Sequence, residues 1–144
     1  MTRAGKGNFK TKHPPETKVP KSLSDAIKKA TVAGNISCIS ATEIAERKSM
    51  GMQEVGTAID IMEINIVRCQ LGLFGYSPEK MVVKAAKSVS KELENAILSG
   101  VRKDRLPCAE AWRIADSFKI PRMRVAAACE ALKIKVKPCQ LGAF

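Results

Sequence analysis

A shift of 70 residues lays this chain upon itself. Cys38 and Cys69 are 31 residues apart, and so are Cys108 and Cys139. Residues 38–74 then align with 108–144 without a gap. The identical pairs are Cys38/Cys108, Ala41/Ala111, Ile44/Ile114, Ala45/Ala115, Val55/Val125, Ala58/Ala128 and Ile64/Ile134. Both copies close on one run, Cys69-Gln70-Leu71-Gly72-Leu73-Phe74 and Cys139-Gln140-Leu141-Gly142-Ala143-Phe144. Twelve of 37 positions are identical, where ordinary residue frequencies would give roughly two or three. Lys21/Lys91, Leu23/Leu93, Ala26/Ala96 and Ile27/Ile97 carry the match upstream. Such a chain is expected to fold as two copies of one small unit.

The hydrophobic spacing gives each copy the order helix, helix, helix, strand. Ser24 is a candidate cap for a first helix reaching about Thr31, with Gly34-Asn35 as its stop. In the second copy, Ser77-Pro78-Glu79 supplies a cap, a first-turn proline and an acid. Met81, Val82, Ala85, Ala86, Val89, Leu93, Ala96 and Ile97 follow at helical spacing, which predicts a longer first helix ending at Gly100. Second helices are predicted over Ala41–Lys48 and Ala111–Phe118, and third helices over Met52–Met62 and Arg122–Leu132. The pattern then alternates. Lys133-Ile134-Lys135-Val136-Lys137 sets three lysines on one face of a strand.

Charge narrows the partners. The 144 residues carry 25 Lys+Arg against 14 Asp+Glu, a formal net charge of +11. Residues 1–37 hold +6, 38–74 hold −2, 75–107 hold +3 and 108–144 hold +4. Residues 1–20, rich in Lys and Pro, lack the apolar content to offset ordering and read as a disordered basic tail. That tail could seek phosphate or simply aid solubility. No apolar run approaches the roughly 20 residues of a membrane span, and no secretory signal is read at the start, so a cytoplasmic protein is expected. Six aromatic residues are too few for a base-stacking platform. The partner that suits this balance is a polyanion.

The helix pair 41–62 resembles a helix-turn-helix, with Ile44, the small Ala45, Met50, Val55 and Ala58 at its packing positions. The pair 111–132 resembles it too, with Ile114, Ala115, Phe118, Ile120, Val125 and Ala128. Small alanines let two helices cross closely. At the turn, where the motif usually has glycine, stand Ser49 and Lys119. With the following strand, the resemblance is to the winged variant, as in prokaryotic transcription regulators. It implies a mainly α fold with short β-strands, in two helix-turn-helix (winged-helix-like) repeats, 21–75 and 76–144, after the 1–20 tail. It also implies a DNA-binding regulator, with double-stranded DNA as partner and a homodimer as one possible state. The third helix would enter the major groove by its N-terminal end. In the second copy that end carries Arg122 and Arg124, beside Lys119, and Lys133, Lys135 and Lys137 would touch the backbone. In the first copy Gln53 and Thr57 could read bases and Arg68 could meet phosphate, but Glu54, Asp60 and Glu63 surround them. The second copy is therefore the expected nucleic-acid face. RNA is not excluded.

Cysteine offers the competing reading. In a winged fold the segment before the second helix pairs with the strand after the third, so Cys38 would neighbour Cys69, and Cys108 would neighbour Cys139. Four thiolates could serve a metal or a redox switch in an interaction or sensor module. No Cys-x-x-Cys spacing supports this, and buried packing is the plainer role for a free cysteine. Cys129 lies on an apolar helix face and is expected in the core. Catalysis has no constellation to rest on, so neither enzymatic activity nor a cofactor is expected.

Overall fold

A computed structural model describes residues 18–143. The tail expected over 1–20 lies almost wholly outside them. The chain divides into two compact units, one running to Cys69 and including Leu141–Ala143, the other comprising residues 70–140. The closing run of the first copy thus belongs, from Gln70 on, to the second unit. Leu141–Ala143 of the second copy's run belongs to the first.

In the first unit α1 (Lys21–Ala30) leads through a tight turn to β1 (Asn35–Ser37). Ala33 and Gly34 both adopt left-handed backbone, and Val32 and Asn35 exchange backbone hydrogen bonds across them. Next come α2 (Cys38–Lys48), α3 (Met52–Ile61) and β2 (Asn65–Val67). β2 pairs with β1 in parallel, Asn35 beside Asn65, Ile36 beside Ile66 and Ser37 beside Val67. Leu23, Ile27, Ile36, Ile44, Val55 and Ile59 fill the core. Leu141 approaches α3 so closely that a Cβ on Gly56 would collide with its backbone.

The second unit repeats this order with α4 (Lys91–Gly100), β3 (Arg105–Leu106), α5 (Cys108–Phe118), α6 (Arg122–Ala131) and β4 (Lys135–Val136). β4 pairs with β3 in parallel, Arg105 beside Lys135 and Leu106 beside Val136. The duplication extends to backbone conformation. Non-glycine residues take left-handed φ at Ala33, Ser49 and Glu63, and again 70 positions later at Lys103, Lys119 and Lys133. Each costs about 1–2 kcal/mol relative to ordinary helical backbone, so the same bend is imposed twice by the packing around it. Ser49 and Lys119 close α2 and α5. Gly51 and Pro121 then open α3 and α6, leaving a three-residue turn between each helix pair.

Several expectations need correction. The longer first helix of the second copy does not form: α4 spans only Lys91–Gly100, the same ten residues as α1. Its cap is Ser90, whose hydroxyl accepts from the Leu93 amide at 3.2 Å, not Ser77. The upstream segment spends its hydrogen bonds elsewhere. Val82 and Val83 amides donate to the Gly72 carbonyl, and Ala86 donates to Ala127 on α6 at 3.0 Å. Ser24 is not a cap either, since α1 starts at Lys21 behind Pro20. α2 and α5 begin three residues earlier than predicted, α2 directly off β1 and α5 after Pro107, which follows β3. For α2, Ser37 provides the cap to the Ser40 amide. The predicted strand 133–137 shortens to Lys135–Val136, because the left-handed Lys133 bends the chain first. The strand that follows each third helix does pair with the segment before the second helix, as the resemblance implies, and the pairing is parallel.

Candidate nucleic-acid interface

α6 presents its first turn through Pro121, Arg122, Met123 and Arg124. Arg124 is exposed, as is Lys119 in the preceding turn. Arg122 is held differently. Its guanidinium carbon lies 3.7 Å from the centre of the Trp112 ring, and one of its nitrogens donates to Gln70 Oε1 at 3.3 Å. Trp112, at 9% exposure, is buried beneath this cation, an arrangement that gains from both π attraction and excluded water. The sequence offered no hint of it, since Thr42 stands at the matching position of the first copy and Gln70 comes from 52 residues away.

Lys133, Lys135 and Lys137 lie beyond the other end of α6. Ten helical residues separate the two groups by about 15 Å along the axis. Lys133 and Lys135 are exposed, and Lys137 is half-buried with its amide bonded to the Leu106 carbonyl at 2.8 Å. The alternation holds from Lys133 to Val136, with Lys133 and Lys135 outward and Ile134 and Val136 turned partly inward, and ends at the half-buried Lys137.

Parallel pairing brings a further basic segment beside these lysines, one that the sequence reading missed. The turn Arg102-Lys103-Asp104-Arg105 leads into β3, and Arg102, Lys103, Arg105 and Lys137 line a shallow open depression together with Asp104, Pro107 and Pro138. Arg102 also donates to the Ser99 and Val101 carbonyls, both at 2.9 Å, so it covers the end of α4. The signal was present in the charges of 102–105. It could be assigned only once β3 was known to pair with β4.

The first unit differs at every corresponding place. Its turn is Val32-Ala33-Gly34-Asn35, and its strand positions are Glu63, Asn65 and Val67. Gln53 and Thr57 sit one helical turn apart on α3, beside Glu54, in a groove completed by Lys18, Val19 and Pro20. Arg68 follows β2 in left-handed conformation on the exposed surface. Asp60 is buried, at 2% exposure, and so contributes nothing to the outer face of α3.

Cys38, Cys69, Cys108 and Cys129 are buried thiols, and Cys139 is half-buried. Gln140 Nε2 lies 3.6 Å from Cys108 Sγ, which ties the closing run to the start of α5. Among the described residues no three His, Cys, Asp or Glu side chains come together as a metal-holding group. Burial pushes the Cys129 thiol up to about 12, with the neighbouring Glu130 charge adding to it. On the surface of α5, the hydrogen bond from Arg113 holds the Glu110 carboxyl below its ordinary range. Among the described residues no helix is long and apolar enough to cross a membrane. Protein-family models, curated proteins and solved structures give no match to this chain.

Proposed function

We propose that this chain is a non-catalytic, DNA-binding protein of the transcription-regulator kind, which meets the duplex through its second repeat. One observation carries the reading. The two copies share their packing residues and bends, yet Met52, Glu54, Glu63, Asn65 and Val67 of the first become Arg122, Arg124, Lys133, Lys135 and Lys137 of the second. A duplicated scaffold retains core residues to fold, whereas positions outside the core are free to follow function. Here five such changes all add positive charge or remove negative charge. A short turn between two helices, left-handed at its first residue, supports the helix-turn-helix likeness. The basic strand supports phosphate contact. Within this reading Arg124 and Lys119 approach the groove, while Arg122 braces the start of α6 against Trp112.

Fluorescence anisotropy with a labelled 20-base-pair duplex and a single-stranded RNA of equal charge tests it. Tighter binding to the duplex, weakening steeply as salt rises, is the expected result. Absence of duplex binding at micromolar protein in low salt would refute it.

A further inference from the structure

We infer that the turn Arg102–Arg105, with Lys135 and Lys137 of the adjoining strand, is a phosphate clamp that holds the nucleic-acid backbone without reading its sequence. The inference rests on the proposed nucleic-acid binding and adds a site to it. Two independent observations support the clamp. The first is shape: the turn and Lys137 line one depression on the surface of the second unit, four cations to a single acid, Asp104. The second is a like-charge pairing inside the sheet. Arg105 and Lys135 are register partners, and neighbouring strands lie about 4.8 Å apart. Like charges side by side in a sheet repel. Ion pairs in this unit form instead on helix surfaces, Lys91 with Glu94 and Arg113 with Glu110. An anion seated between these two side chains would turn this repulsion into shared attraction.

Backbone phosphate is the anion that fits. The depression is open, and four of its seven lining residues are cations, alongside Asp104, Pro107 and Pro138. Its cations are a guanidinium, suited to two phosphate oxygens at once, and flexible ammonium groups that act as point charges. The first unit has none of this, since Ala33, Gly34, Asn35, Asn65 and Val67 occupy the matching places. Contact here is thus one-sided: one repeat carries the clamp and its twin does not. Arg102 is partly committed to the α4 carbonyls, so Lys103 and Arg105 carry the test.

The double variant Lys103→Asn/Arg105→Gln removes two exposed charges, leaves the Arg102 contacts intact and keeps a residue tolerant of left-handed backbone at 103. Its binding to two duplexes of unrelated sequence is compared with the parent by anisotropy across a salt series, with thermal unfolding as the check on folding. The expected result is at least a tenfold loss of affinity in low salt, equal for both duplexes. The slope of log affinity against log salt should become shallower by about two, with an unchanged unfolding midpoint. A variant that matches a duplex-binding parent in affinity and slope overturns the clamp while leaving the proposed function standing. A parent that binds no duplex overturns both. Loss for one duplex only would show base reading instead, and binding of polyglutamate as tight as that of duplex would assign the surface to acidic proteins.

Discussion

Arg122 shows how a side chain that looks like a base reader can be committed to the fold. Stacked on Trp112 and bonded to Gln70, it fixes the start of α6 from two directions. Arg122→Ala should lower unfolding stability by about 1 kcal/mol through loss of the cation–π contact, and the Trp112 emission should shift as water reaches the ring. Arg124, which is exposed, should show neither effect on substitution, which separates bracing from binding. Cys129 gives a second residue-scale prediction. Its pKa is raised in the folded state, so its contribution to stability is complete below the unfolded value of about 8.5. That contribution is lost as pH climbs toward about 12. Native protein treated with iodoacetamide at pH 8 should therefore label at the half-buried Cys139 and spare Cys129, as peptide mapping would show. Labelling of Cys129 at the rate of Cys139 would contradict the buried placement. The sequence made Cys129 a core residue correctly because its helical face was apolar throughout. It could not reveal the Arg122 stack, which joins parts of the chain with no local pattern in common.

At the scale of elements, the second and third helices were legible because small crossing residues and apolar spacing agreed with one another, though α2 and α5 begin three residues earlier than that spacing indicated. The first helix of the second copy misled because spacing alone favoured it. Residues 81–89 are apolar at helical intervals, yet their amides bond to Gly72 and to α6 rather than to their own preceding turn. Tertiary partners outweighed a local preference worth only tenths of a kcal/mol per residue. The strands β1 and β3, two or three residues long, were too short for alternation to register, although the winged resemblance implied their pairing. Since Ser90 is the true cap, Ser90→Ala should reduce stability by about 1 kcal/mol. Ser77→Ala should leave it within about 0.5 kcal/mol, as for a surface position without a special contact. Chemical denaturation of the two variants checks this, and the opposite order would restore the longer helix.

For the molecule as a whole, duplication supplies two similar scaffolds and charge makes them unequal. The repeat was legible from the 70-residue offset, and Ser49 and Lys119 stood out at turns where glycine is customary, but the placing of Gln70 onward in the second unit and of Leu141–Ala143 in the first was not legible. The proposed interface was legible in half. Lys133, Lys135 and Lys137 stood out by alternation, but the turn that joins them, Arg102–Arg105, needed the parallel pairing to come into view. The account's central claim is that the basic face of the second repeat binds nucleic acid through phosphate. The most direct measurement is the salt dependence of duplex affinity for the parent and for Lys133→Gln/Lys135→Gln/Lys137→Gln, with Gln53→Ala/Thr57→Ala of the first repeat alongside. If the three lysines each neutralise a phosphate, the slope of the lysine variant flattens by about 2.7, and the first-repeat variant keeps the parental slope. Parental slope and affinity in the lysine variant, with binding lost in the first-repeat variant, would contradict the account.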